Sequence, residues 1–160
     1  MNLAKCLCVS LTFGVVVPLS SVHAQEELVG TWVLQSATTQ GPPQMAPTGG
    51  SLVITDAGGG KYTSVSEVIV GGITGRSEVT YSVDGMDYAV AMTPAQPGTA
   101  LTQSVERESE TVYKANVKLN GQLMATGVTE LSADGNTLTQ TTTGVGQFAM
   151  LSGTVVFKRN

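Results

Sequence analysis

Side chains suited to nucleophilic, acid–base or metal chemistry are few in this 160-residue chain, and they are scattered. It holds one histidine, His23, and two cysteines, Cys6 and Cys8, all within the first 24 residues. Glu106, Glu108 and Glu110 recur at every second position, which on a strand would put three carboxylates on one face and Arg107 on the other. Such a row could hold a cation through oxygen ligands, but a solvated strand that resists edge pairing needs the same pattern. Asp56, Asp84, Asp87 and Asp134 stand in or beside glycine-containing turns. Turn chemistry accounts for three of them, and leaves Asp87 with Tyr88 as the least explained pair. Glu67, Glu78 and Tyr81 could assist proton transfer if they faced a cavity, although Glu78 is opposite in parity to Val79 and Tyr81.

The first 24 residues decide which chemistries survive. Lys5, the almost unbroken apolar run of residues 6–17 and the small-residue ending Val22-His23-Ala24 before Gln25 have the succession of a secretory signal peptide. The run is short for a bilayer, polar and acidic residues follow it, and no second apolar segment is long enough to span. Gln25, not Cys, follows the cut, so lipidation there is not expected. Cleavage removes His23 and both cysteines. Residues 25–160 then cannot use Ser-His-Asp or Cys-His nucleophilic catalysis, nor build the usual zinc site. No metal and no cofactor is expected. Removing Lys5 from the 8 basic residues leaves 7 against 12 acidic ones, a side-chain charge of −5. Nucleic acid is therefore excluded as a partner, because phosphate binding needs a basic footprint.

The remaining 136 residues are enough for one domain with its own core. Its elements read as strands throughout. Residues 28–36 alternate, with Leu28, Gly30, Trp32 and Leu34 on one face and the single tryptophan as a core plug. Residues 37–50, with three prolines and three glycines, read as an exposed loop, and residues 93–98, with Pro94 and Pro97, as a second. Between and beyond them, strands are expected over residues 51–55, 61–70, 73–83, 86–92, 101–108, 113–119, 123–131, 138–143 and 153–159. Asp84-Gly85, Asn120-Gly121 and Asp134-Gly135 read as two-residue hairpin turns. Nine or ten strands, no helix and tight turns in succession predict an all-β fold: a single antiparallel up-and-down β-barrel of about 8–10 strands over residues 25–160.

With Gly30-Thr31-Trp32 in the first strand and Val155-Val156-Phe157-Lys158 at the end, the chain resembles lipocalin-like (calycin-type) barrels. Asp84-Gly85-Met86-Asp87-Tyr88, Leu119-Asn120-Gly121-Gln122 and the run from Leu131 to Thr139 make it similar, more narrowly, to small secreted bacterial lipocalin-like domains. It departs from typical lipocalins in having no helix after the last strand and no disulfide to tie its tail. The resemblance implies a basic residue, Lys158 or Arg159, laid over Trp32. Arg159 shares parity with Val155 and Phe157 and is favoured if Phe157 points inward. Gly30, Trp32 and Arg159 are thus expected to be structural.

A barrel lined by Val, Ile, Leu, Met and Ala with few aromatics can leave a dry cavity for one small ligand. Trp32, Val79, Tyr81, Tyr113, Val117 and Phe157 are the candidate lining, with Met45, Met92, Met124 and Met150 as an adaptable rim. The expected function is an exported, periplasmic or extracellular, non-enzymatic binder of a small apolar or amphipathic molecule. The alternatives are a filled barrel acting through residues 37–50 and 93–98 on a protein partner, and a barrel cyclase or isomerase working without His or Cys. Export predicts a mature chain that begins at Gln25. N-terminal sequencing of the secreted form checks this, and a mature N-terminus at Met1 would refute it.

Overall fold

The computed structural model describes residues 26–160, so the signal-peptide reading of residues 1–24 lies outside the described residues. The strands are β1 (Gly30–Thr39), β2 (Gly49–Gly58), β3 (Lys61–Val70), β4 (Ile73–Ser82), β5 (Tyr88–Ala89), β6 (Ala91–Thr93), β7 (Leu101–Arg107), β8 (Val112–Leu119), β9 (Gln122–Leu131), β10 (Thr137–Gly144) and β11 (Gly153–Arg159). They form one antiparallel sheet in the order β5-β7-β8-β9-β10-β11-β1-β2-β3-β4-β6. Only Val90 separates β5 from β6, so the chain itself joins the two edges of the sheet. Tyr88 and Ala89 pair with Gln103 and Thr102, whereas Ala91, Met92 and Thr93 pair with Glu78, Ser77 and Arg76. The result is a nearly closed all-β barrel. The count of eleven exceeds the expected range because one path is split at Val90; counted as passes of the chain, there are ten.

Local readings change in four places. Leu28 is buried in a 3-10 turn, Glu26–Leu28, and not on β1, which runs on to Thr39. Beyond Val33, β1 keeps only β11 as a partner and diverges from β2, and a bulge at Gln35 turns Ala37 and Thr39 inward. The proline loop shrinks to residues 40–48 around the turn Pro43–Met45, and Gly49 and Gly50 join β2. The link from β10 to β11 is a 3-10 turn, Gly146–Leu151, where no helix was expected. Of the three expected hairpin turns only Asn120-Gly121 has positive φ at both residues, 51° and 80°. Asp84 and Asp134 instead accept the backbone N–H two residues on, from Met86 and Asn136, and leave the positive φ to Gly85 and Gly135 alone.

One end of the barrel is plugged. Trp32 is fully buried, and its indole N–H donates to the carbonyl of Leu28 at 2.9 Å. Arg159, paired with Trp32 across the β1–β11 ladder, lies 4.3 Å from the indole centroid. Its Nε, Nη1 and Nη2 donate to the carbonyls of Gly135, Val29 and Glu27 at 2.9, 2.8 and 2.6 Å. Gly30 has φ of 150°, and a Cβ there would stand 2.7 Å from Arg159 Nη1. The glycine of the Gly-x-Trp pattern therefore makes room for the guanidinium. Lys158 points away and donates to Thr137 Oγ1 at 2.7 Å. Beside the plug, the Tyr113 hydroxyl donates to Glu27 Oε1 at 2.7 Å, and Arg107 Nη2 donates to the same oxygen at 2.9 Å.

Replacing Trp32 by Ala is expected to cost about 3–5 kcal/mol of unfolding free energy, as for other large buried aromatics. Arg159→Lys, which cannot fork to three carbonyls, is expected to cost about 1–3 kcal/mol. Urea denaturation of each variant checks both values. Burial, and after it the hydrogen bond to Glu27, raise the pKa of Tyr113 above its ordinary value of 10.0. A phenol raised in the folded state contributes stability that is complete below about pH 10 and drains away as pH rises beyond it. The urea midpoint of wild type should fall more than that of Tyr113→Phe between pH 9 and 11.

Candidate functional site

The interior narrows from one end to the other because side-chain size does. At the plugged end the inward residues are Trp32, Leu52, Tyr62, Tyr81, Tyr113 and Phe157, all buried. Toward the opposite end the same faces carry Ser64 and Ser66 on β3, Ser77 and Gly75 on β4, and Gly127 on β9. The space grows accordingly. A pocket of about 50 Å³ lies mid-barrel, lined among others by Ser64, Tyr81, Gln103, Tyr113, Thr129 and Gln140. Above it a cavity of about 450 Å³ opens between β3, β4, β6 and the start of β7, with Ser66, Val68, Val70, Ile73, Met92 and Leu101 in its wall. A smaller pocket of about 210 Å³ occupies the other side of the mouth, against Met45, Met150 and Val155, and shares Gln140 with the mid-barrel space.

The mouth is held by backbone contacts that need little side chain. Thr48 N–H donates to the carbonyl of Ile69, Gln40 N–H to that of Ser152, and Asn120 N–H to that of Ala100. The Asn120 side chain returns a bond to Ala100 N–H at 2.8 Å, and Ser152 Oγ accepts from Gly144 N–H at 3.0 Å. Gly144 and Gly153 sit against the carbonyls of Phe148 and Thr38, where a Cβ would collide with backbone.

Of the six candidate lining residues, Tyr81 and Tyr113 border only the 50 Å³ space. Trp32, Val79 and Phe157 are packed into the buried cluster of the plug, and Val117 is half-buried on the inward face of β8. The reason is their level along the barrel, which alternation does not encode. Met92 lines the large cavity, while Met45 and Met150 line the smaller pocket. Apart from Met92, the wall residues of the large cavity were not singled out from sequence. Their signal is the run of small residues on the parity of Tyr62 and of Tyr81.

The acidic candidates do not converge. β7 ends at Arg107, so Glu108 and Glu110 belong to a turn and the expected three-carboxylate face does not form. Glu108 pairs with Lys114, and the carbonyls of Ser109 and Glu110 accept from Arg107. No group of three His, Cys, Asp or Glu side chains that could hold a metal occurs among the described residues. Asp87 pairs with Lys118 at 2.7 Å, and Tyr88 donates its hydroxyl to Asp84 at 2.8 Å, which explains the pair left open by sequence. Backbone and hydroxyl donors from Met86 and Tyr88 hold the Asp84 pKa below its ordinary value, and donors from Ser132 and Asn136 do the same for Asp134. Glu67 and Glu78 are directed to the outer wall, at 3.6 and 2.7 Å from Arg76.

No family model matches the chain, and no curated protein matches it by sequence. Solved structures do match. Fatty-acid-binding protein 1 of Echinococcus granulosus superimposes over 84% of this chain and 98% of its own, with a TM-score of 0.57 and 14% identity. A mutant of the fluorescent protein UnaG superimposes over 84% and 97%, with a TM-score of 0.59 and 17% identity. At these identities the likeness is one of fold. The chain has the calycin-type, fatty-acid-binding-protein-like barrel fold.

Proposed function

We propose that this protein is an exported, non-enzymatic carrier that holds one small apolar or amphipathic molecule in the upper half of its barrel. The observation that carries the reading is the cavity of about 450 Å³ with Val68, Val70, Ile73, Met92, Pro94 and Leu101 in its wall. That volume falls within the range of small-molecule sites, and the apolar wall supplies the driving force for transfer from water. The fold likeness to a fatty-acid-binding protein supports the same coarse reading. Glu67 and Glu78 are paired with Arg76 on the outer wall, away from where proton transfer to a bound molecule would need them. A second reading, a mouth that docks on a protein partner, draws on the exposure of Ile73 (71%) and Met150 (52%) at the rim.

Gly75 offers a clean test of the cavity. It lines the large space, its φ is not positive, and a Cβ built on it meets nothing within 4 Å. Gly75→Trp should therefore fill the cavity without backbone strain. Wild type is expected to bind the uncharged dye Nile red with one-to-one stoichiometry and to melt at a higher temperature in its presence, because a ligand that prefers the folded state stabilises it. Gly75→Trp is expected to retain its circular dichroism spectrum and lose at least about tenfold in dye affinity, roughly the 1.4 kcal/mol that such a factor represents. Absence of dye binding to wild type, or equal binding by the folded blocked variant, would favour the protein-docking reading.

A further inference from the structure

Charge is distributed over this barrel as unevenly as side-chain size. The segments that form the mouth, residues 40–50, 70–74, 94–101, 119–124 and 144–153, contain no Asp, Glu, Lys, Arg or His. Within the large cavity the polar wall groups are the hydroxyls of Ser66, Ser77 and Thr93, the amide of Gln96, and one charged side chain, Arg76. Arg76 is bound by Glu78 at 2.7 Å and faced by Glu67 at 3.6 Å, so the cluster carries two negative charges against one positive. Arg159, the guanidinium at the plugged end, is consumed by three carbonyls. Ser66 and Ser77 are a directly opposed pair on β3 and β4, and neither hydroxyl has a hydrogen-bond partner among the described residues. Below them the hydroxyls and amides of Ser64, Gln103, Thr129 and Gln140 line the 50 Å³ space, whose one charged lining residue, Lys114, is paired with Glu108.

From these placements, and resting on the carrier reading above, we infer that the cavity takes an uncharged amphiphile: an alcohol, amide or ester whose headgroup bonds Ser66 and Ser77 while its chain lies against the apolar wall toward the mouth. A hydroxyl or amide can both donate to and accept from these two serines, so nothing polar is left unpaired on burial. A carboxylate brought to the same level exchanges full hydration for two neutral donors, with no free cation and with Glu67 and Glu78 nearby. Burying an ion without a counter-charge costs several kcal/mol. An ammonium fares no better, since Glu67 and Glu78 are directed to the outer wall and the inner wall offers it no carboxylate. A charge-free mouth likewise offers no anchor to an ionic headgroup directed outward, and the excess of acidic residues elsewhere does not attract an anion.

The test is displacement of Nile red from the wild-type protein at pH 7.4 by three compounds with the same ten-carbon chain: 1-decanol, decanoate and decylammonium. Decanol is expected to displace the dye at a concentration at least about tenfold lower than either ion. Decanoate or decylammonium displacing it as well as decanol would overturn the inference and leave the carrier reading standing. No dye binding, and no rise in melting temperature with any of the three, would overturn both. A Ser66→Arg variant supplies the missing cation and should gain at least about tenfold in decanoate affinity. A folded variant without that gain would remove Ser66 from the headgroup site, and the comparison of the three compounds on wild type stands whether or not this variant folds.

Discussion

The contact between Arg159 and Trp32 joins the two ends of the described chain, and the barrel depends on it. An up-and-down barrel closes only if its first and last strands pair, and here the β1–β11 ladder puts the guanidinium directly over the indole. The contact would be worth little in water. It matters because the indole is removed from solvent while three backbone carbonyls, from an N-terminal turn, β1's approach and the β9–β10 turn, all accept from one planar group. Those carbonyls would otherwise lack partners at the end of a barrel, where the ladder runs out. Gly30 belongs to the same arrangement, since any side chain there would occupy the guanidinium's place.

Plugging one end permits hollowness at the other. The buried cluster around Trp32, Tyr62, Tyr113, Leu138 and Phe157 supplies the apolar burial that holds the fold without a disulfide among the described residues. The upper faces of β3 and β4 can then carry serine and glycine instead of large apolar groups. Small side chains at matching levels on paired strands, such as Ser66 opposite Ser77, leave volume that no neighbour fills. The mouth segments compensate for short strand pairing with backbone bonds and with glycines placed where two chains approach too closely for a Cβ.

The partition of charge follows the same axis. Ion pairs such as Arg107–Glu27, Lys114–Glu108 and Lys118–Asp87 tie turns and outer walls together around the plugged half and the flank of β8. The mouth keeps prolines, glycines, glutamines and exposed apolar residues. The polar groups along the cavity wall are accordingly the hydroxyls of Ser66, Ser77 and Thr93 and the amide of Gln96, with Arg76 held by Glu78 as the one charged residue.

Sequence alone was sufficient for the class of fold, because period-two alternation and turn residues are local properties that survive in every tertiary context. It placed Trp32 in the core and favoured Arg159 over Lys158 through parity with Phe157, and the structure agrees on both. It also showed that His and Cys occur only within residues 1–24. It did not show at what level along the barrel an inward residue would stand. Parity says which face a side chain takes, whereas its height depends on register, and register depends on bulges such as that at Gln35 and on where the chain crosses from β7 to β4 at Val90. For that reason Trp32, Val79 and Phe157 proved to be plug and not cavity wall, while Ser66, Gly75 and Ser77 became the wall. The carboxylates of Glu106, Glu108 and Glu110 were separated by a strand end that their spacing could not reveal, because a strand stops where its partner turns away. Only the closed sheet decides those positions, since each strand's height is set by the neighbours on both of its sides.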